Sequence, residues 1–339
     1  MGIPFEGTTG PHNAITDVGG IEVGYTTLIE GSGVRTGVTA ILPRGKASKD
    51  PVFASWFPLN GNGEMTGTAW IDESGFMEGP VMLTNTHSVG VVRDAVVRWQ
   101  FENGKMFQPY SYPIVAETYD GTLNDINGFH VKPDHALAAI AAAKTGSIAE
   151  GNVGGGTGMV CFQLKGGTGT SSRVAEPYTV GVLVQANFGL RHQLVIAGVP
   201  VGKAIPIPPA EPAPPAGEQG SIIVVVATDA PLLPHQLRRL AKRAAMGLAR
   251  TGSQAGNGSG DIMLAFSTAN AGAASPESGV APVELLANAK INPLFDATIF
   301  ATEEAILNAM AAAETMTGFE GRTIEALPAD RVRALMAEH

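Results

Sequence analysis

From Ile222 to Val226 every residue is apolar and β-branched, a run too continuous for alternation and too stiff at χ1 to favour a helix. It predicts a strand buried on both faces. The chain leading into it is of the opposite kind. Residues 205–220 read IPIPPAEPAPPAGEQG, and the six prolines between Pro206 and Pro215 lack amide donors and hold the backbone near polyproline II. Such a segment joins neither a helix nor a central strand. Gly217 and Gly220 loosen the chain just before Ser221, which therefore stands at the fixed edge of a rigid element with a disposable linker behind it. A chain cut by its own serine would be cut there. The competing reading is an ordinary loop-to-strand boundary with serine as a turn residue.

The same periodicities order the rest of the chain. Ile15–Thr27 and Gly37–Leu42 have the short alternation of strands, VFASWF is another, and PVMLTNTHSVG is a strand running into a turn. VVRDAVVRWQFENG spaces its apolar residues as a helix up to a stop at Gly104, and HALAAIAAAKTG is a second helix ended by Gly146. A glycine-dense stretch then gives way to the strand YTVGVLVQANFG. After Ser221 come a strand, a helix from His235 to about Thr251, the turn TGSQAGNGSG and the strand DIMLAFST. Two further helices are predicted, near Pro282–Ala289 and Pro293–Glu314. Strands and helices interleave without a dominant strand-helix repeat, which points to sheets layered between helices and not to a simple parallel wind. Residues 1–339 read as one domain, with the linker at 205–220 a processed loop and not a domain boundary.

Composition narrows the function classes. The chain of 339 residues is 44% hydrophobic, enough for a large core, but only 16% charged, with a net charge of −9. No basic stripe exists to neutralise phosphates, so a nucleic-acid partner is not expected. Cys161 is the only cysteine, which excludes an intrachain disulfide and any cysteine-built metal cluster. No apolar run approaches 18 residues unbroken, so no membrane span is expected. The opening MGIPFEGTTG has neither a basic n-region nor an apolar h-region, and a cytoplasmic location is the default. Low charge and 43 glycines fit a chain that hides surface in an oligomer.

Standard motifs fall away. GNVGGGTGMVC lacks the dinucleotide spacing, GVPVGKA has misplaced glycines and Ala204 after Lys203, and no HExxH or G-x-S-x-G occurs. His130 and His135 flank a helix start without a partner carboxylate motif. No metal site and no cofactor are expected. Cys161, Met263 and Trp70 read as core. What remains is NGSGDIMLAF, where Ser259 and Asp261 precede a buried strand and could project toward the strand that begins at Ser221. A hydroxyl and a carboxylate there would orient the amine of a serine and carry a proton, because serine needs a nearby base to become nucleophilic. A hairpin turn at Asn-Gly is the alternative reading of the same residues.

These blocks together carry a resemblance. Ser221 in GSIIVVVATDAPLLPHQL, GLARTGS with NGSGDIMLAFSTAN, VAETYDGTLND, VLVQANFG, the opening HNAITDVGG and the helix ATEEAILNAM resemble the L-aminopeptidase/D-esterase and β-peptidyl aminopeptidase family of self-processing N-terminal-serine hydrolases. The resemblance implies an α+β fold, a four-layer αββα sandwich of N-terminal-nucleophile-like architecture. It implies cleavage between Gly220 and Ser221, giving an α chain 1–220 and a β chain 221–339. It further implies Ser221 as nucleophile, Ser259 as second catalytic serine and Asp261 as supporting acid, where some relatives carry Glu. Asn187 and Tyr119 would donate to the oxyanion, and Glu117 would bind the substrate's free ammonium. A homotetramer of cleaved protomers is implied as well.

The chemistry is coherent on its own terms. A free α-amine, with a pKa of about 7.7 to 8.0, is partly neutral near pH 7 and can serve as the base for the hydroxyl on the same residue. A carboxylate at fixed distance from the nucleophile selects substrates with a free N-terminus: short peptides, amino acid amides or esters, of L-α-, D- or β-amino acid residues. The rivals are a self-cleaving acyltransferase, disfavoured because its second chain begins with threonine, and an uncleaved non-catalytic relative.

Overall fold

The computed structural model describes residues 2–205, 219–275 and 277–338, so most of the proline-rich linker, 206–218, lies outside the described residues. The β-branched run forms β11 (Gln219–Thr228). Its alternate residues serve two different cores, Ile222, Val224 and Val226 on one face and Ile223, Val225 and Ala227 on the other. This is the two-faced burial that the continuous run predicts, and each such side chain contributes about 1.5 to 3 kcal/mol when fully removed from water.

Around β11 a six-stranded sheet is built. β11 pairs in parallel with β12 (Gly258–Ser267) and antiparallel with β10 (Tyr178–Asn187), which pairs in turn with β9 (Gly167–Ala175). On the other side lie β3 (Val52–Pro58) and β4 (Phe76–Met77), giving the order β4-β3-β12-β11-β10-β9. The parallel β11–β12 pair needs a crossover, supplied by α5 (Pro234–Arg250). Leu237, Leu240, Ala241, Ala244 and Leu248 form its buried stripe, and α6 (Asn292–Ala311) packs beside it.

A second sheet of four strands, β1 (Glu22–Glu30), β2 (Val34–Leu42), β5 (Val81–Asn85) and β6 (Ile114–Thr118), lies across the first in the order β1-β2-β5-β6. Its outer face is covered by α2 (Val89–Glu102) and α3 (Pro133–Ala142). Three cores therefore separate four layers: helices on the smaller sheet, sheet on sheet, and the larger sheet on α5 and α6. This is the αββα arrangement of an α+β fold. Smaller elements complete it: α1 (Thr68–Ser74), the hairpin β7 (Val160–Cys161) and β8 (Leu164–Lys165), α4 (Val201–Ala204), the pair β13 (Met316–Thr317) and β14 (Thr323–Ile324), and α7 (Ala329–Ala337).

Several expectations are corrected. No α-helix forms at Pro282–Ala289; residues 282–287 are irregular and Asn288 opens a 3₁₀ turn, because Leu286, half-buried on the larger core, spends its N–H on Pro231 O and its carbonyl on Gln236 Nε2 at 2.8 Å each, while Val280, Val283 and Leu285 stay exposed. The first strand starts at Glu22, since Ile15–Asp17 is a 3₁₀ turn. The Asn-Gly before Ser259 is not a hairpin turn. The strand it opens is parallel to β11, and Ser259 and Asp261 lie inside that strand. Cys161 and Met263 are core, as read.

At one end of the sandwich the two sheets are tied by polar groups. Gln185 on β10 is fully buried, and its Nε2 donates to Thr84 O at 2.9 Å and Thr118 Oγ1 at 2.8 Å, on β5 and β6. Two residues on, Asn187 Nδ2 donates to Tyr119 O at 2.9 Å. Gln185→Leu, which keeps the volume and removes both donors, is expected to lower stability by about 1 to 3 kcal/mol. Chemical denaturation measures it, and an unchanged midpoint would contradict the assigned role.

Candidate active site

The register of three strands sets the first part of the site. Asn187 of β10 stands opposite Ser221 of β11, and Ser221 stands beside Gly260 of β12. Residues paired across a ladder share a face. On β11 the odd-numbered residues Ile223 and Val225 belong to the core between the sheets, and so do Leu183 of β10 and Ile262 and Leu264 of β12. Ser221 and Asn187 accordingly project into the gap between the sheets, with no Cβ beside them at Gly260. Both are buried, and the Ser221 hydroxyl donates to Gly220 O at 2.6 Å.

Gly220 is fixed by close approach. A Cβ there would lie 2.5 Å from Asn187 O and 2.7 Å from Phe188 Cα, so any larger residue would push β10 and β11 apart. Its peptide sits within β11, paired with Ser259, and not in a loosened loop. The sequence reading had Gly220 supplying looseness; what the structure requires of it is room.

Ser259 and Asp261 form a pair on the other face. Ser259 Oγ donates to Asp261 Oδ1 at 2.7 Å, so the shorter aspartate does reach the serine, and both side chains are fully buried. They share the parity of Met263 and Ala265, which belong to the core beneath α5 and α6. The pair therefore approaches Ser221 from its main-chain side and not from its hydroxyl. Asn60 secures it: its Nδ2 donates to Ala255 O and Gly256 O at 2.8 Å and lies 3.4 Å from Asp261 Oδ2, while Leu59 N donates to Asp261 O at 2.9 Å.

Glu117, at the end of β6, is buried and accepts two hydrogen bonds, from Glu64 N at 3.0 Å and from Thr86 Oγ1 at 2.5 Å. Burial raises its pKa above the ordinary glutamate value. Those two donors pull the other way, as does the nearby His87, while Glu64 adds to the rise. A Cβ on Gly63 would lie 3.3 Å from Glu117 Oε1 and 3.2 Å from Gly260 Cα, so only one backbone segment separates this carboxylate from the strand beside Ser221. Next along the chain, Asp120 is wholly buried and receives Asn85 Nδ2 and Asn124 Nδ2 at 3.1 Å each, and burial lifts its pKa to about 6. Those contacts fix the turn that follows Tyr119. Tyr119 itself is 48% exposed with its ring folded over Gly121, so its carbonyl, not its hydroxyl, contacts Asn187.

The structure thus brings Ser221, Asn187 and Glu117 to one end of the inter-sheet gap, with Ser259 and Asp261 behind and Tyr119 at the exposed rim. Sequence reasoning missed Thr86, Asn60 and the Glu64 amide. The run NGNG after β3 was the available signal for the last two, because alternating glycines mark close backbone approach. His130 and His135 are engaged elsewhere: His135 Nδ1 accepts Lys132 N at 3.0 Å, and His130 pairs with Asp125 at 3.5 Å. Among the described residues no group of His, Cys, Asp or Glu could hold a metal ion, and no helix is long and apolar enough to cross a membrane.

Comparisons with known proteins place this geometry. The family model described as Peptidase family S58 matches residues 13–324. Beta-peptidyl aminopeptidase BapA of Sphingosinicella microcystinivorans is 55% identical, over all of this chain and 91% of that protein. Its namesake in Sphingosinicella xenopeptidilytica is 46% identical, over 99% of this chain and 90% of that one. Among solved structures, the L-aminopeptidase D-Ala-esterase/amidase of Ochrobactrum anthropi superimposes with a TM-score of 0.92 at 45% identity, covering 99% of this chain and 97% of that one. It is described as a prototype for the serine aminopeptidases and a new variant among the Ntn hydrolase fold. A beta-aminopeptidase of Burkholderia sp. gives the same TM-score at 48% identity, with the same coverage.

Thr86→Val removes a donor to the ionised form of Glu117 and is expected to raise its pKa further. A ¹³C-NMR titration of the Glu117 carboxyl reads this, and an unchanged or lower value would contradict the assignment of Thr86.

Proposed function

The chain belongs to peptidase family S58 and is an aminopeptidase, and from that premise we propose that it cleaves itself between Gly220 and Ser221 and uses the new N-terminal serine as nucleophile. The observation that carries the reading is the juxtaposition across the sheets: Ser221 and Asn187 in register on one side, Glu117 on the other. The relatives are peptidases, which argues against the acyltransferase alternative.

In the first step Ser221 Oγ bonds to the Gly220 carbonyl carbon while the Gly220–Ser221 C–N bond breaks. The serine nitrogen takes up the proton lost by the hydroxyl and leaves as an amine. Water then hydrolyses the ester, freeing the Gly220 carboxylate and the Ser221 hydroxyl. The α-amine so created is the base for its own hydroxyl, and Ser259 with Asp261, approaching from the main-chain side, orients that amine. With a substrate, Ser221 Oγ attacks the scissile carbonyl, the amine takes its proton and passes it to the leaving group, and water releases the acyl-enzyme. Asn187 Nδ2 carries two hydrogens. One goes to Tyr119 O, leaving the other for the developing oxyanion, where a single donor is worth about 2.7 to 4 kcal/mol. The Tyr119 hydroxyl joins by turning its exposed ring from Gly121.

Glu117 accepts the substrate's ammonium. Its carboxylate is already held by two donors, so a blocked N-terminus leaves a buried charge unpaired, and the substrate class is short peptides, amides or esters with a free amine. The family resemblance implies a homotetramer of cleaved protomers, which the low charge of the chain permits.

Ser221→Ala is expected to run as one uncleaved band on a denaturing gel and to lack peptidase activity, where the unmutated protein gives chains of 220 and 119 residues. A cleaved or active variant would overturn the assignment, and one intact band from active unmutated protein would favour an uncleaved enzyme. Glu117→Gln is expected to raise KM for free-amine substrates by at least about 30-fold, the equivalent of about 2 kcal/mol. In the unmutated enzyme KM should rise as pH falls through the raised Glu117 pKa, because the ionised form is the binding form. A KM independent of both the substitution and pH would exclude Glu117 as the anchor.

A further inference from the structure

Behind Asn187 lies a cation that the chemistry above does not use. Lys165 on β8 is fully buried, and burial pushes its pKa down to about 7, with Cys161 acting in the opposite direction. An ammonium ion taken out of water costs several kcal/mol unless its protons are met. Here main-chain carbonyls meet them. Nζ donates to Met159 O and Gly166 O at 2.8 Å each, with Gly156 O at 3.5 Å.

Those carbonyls bracket one peptide. Val160, next after Met159, donates its N–H to Asn187 Oδ1 at 2.7 Å, and Gly166 N returns to Met159 O at 2.9 Å. The hairpin that carries Val160 and Lys165 is strained: its two turn residues, Phe162 and Gln163, have φ of +51° and +56°, a left-handed pair usually filled by Asn-Gly. Such residues persist only where the surroundings impose them. Arg191 imposes it from outside, donating through Nε to Phe162 O at 3.0 Å and through a second nitrogen to Gln163 O. Phe162 rests edge-on against Phe188, one residue from Asn187. Lys165 ties the two ends of the hairpin together from inside, through Met159 O and Gly166 O.

We propose that Lys165 is a positioning residue for Asn187: by drawing the Met159 and Gly166 carbonyls onto one ammonium it fixes the Val160 N–H, which holds the Asn187 carboxamide with Nδ2 facing the reacting oxygen. This rests on the reading of Asn187 as an oxyanion donor. Asn187 Oδ1 has to be gripped for Nδ2 to point across the gap, and Val160 supplies the grip. A rotated carboxamide would present its oxygen to a developing negative charge.

The test is a double-mutant cycle on the full chain, with turnover expressed per cleaved protomer and folding checked by thermal unfolding. Lys165→Met is expected to lower kcat by up to about 100-fold at unchanged KM, because Glu117 is untouched and only the donor geometry is lost. In the Asn187→Ala background the same substitution is expected to have no further effect, since the group it acts through is gone. Full kcat in Lys165→Met, or losses that multiply in the double variant, would overturn the proposal. Full kcat in Asn187→Ala alone would instead overturn the oxyanion reading and the proposal with it. Lys165→Gln retains two N–H donors and should recover part of the loss, and it carries the same cycle if the Met variant does not fold.

Discussion

The candidate site depends on two sheets being tied at one end by hydrogen bonds instead of by packing alone. Apolar burial joins the sheets along most of their common face. At the end where β10 and β6 meet, Gln185 and Asn187 reach across to Thr84, Thr118 and Tyr119. Apolar contacts tolerate sliding, whereas a buried carboxamide left unpaired costs about 1 to 3 kcal/mol, so these bonds hold β6 in one position relative to β11. Ser221 sits on one sheet and Glu117 on the other. In the proposed reaction, only a fixed offset between sheets would let the Ser221 hydroxyl and the Glu117 carboxylate measure the distance from an ammonium to a scissile bond.

The same economy governs the peptide proposed for cleavage. Gly220 lies in a strand paired on both sides, with its neighbour's carbonyl too close for a Cβ. Rigidity here serves the reaction, because an acyl shift requires hydroxyl and carbonyl held together, and the Ser221 hydroxyl already rests on the Gly220 carbonyl oxygen. Two faces of one sheet then divide the labour. The inter-sheet face carries Ser221, the proposed nucleophile, and Asn187; the helix face carries Ser259 and Asp261, the pair proposed to orient the nitrogen that cleavage would liberate.

Much of the fold was legible in the sequence because its signals are local. The β-branched run of β11 and the Leu237–Leu248 stripe of α5 are patterns of neighbouring residues. β9 was lost in the glycine-dense stretch because Gly167, Thr168, Gly169, Thr170, Ser171 and Ser172 are buried without being apolar, held by partners such as Asn13, Asp17 and Glu304 that lie far away in the chain. The predicted helix at Pro282–Ala289 failed because distant partners, Pro231 and Gln236, take the Leu286 backbone groups that a helix would have used. At the site, Ser221 was marked by its junction and Ser259 with Asp261 by their spacing. Asn187, Tyr119 and Glu117 came only from family resemblance. The donors that hold Glu117 arise from a loop and a turn 53 and 31 residues away, a juxtaposition no local spacing encodes.

The proposed chemistry requires a nucleophilic hydroxyl on a residue that also carries a free amine. The most direct measurement is peptide-mapping mass spectrometry of active protein after reaction with a serine-sulfonylating sulfonyl fluoride. One adduct is expected, on Ser221, in a fragment that begins at that residue. An adduct on Ser259 instead, or on Ser221 within an unbroken chain, would contradict it.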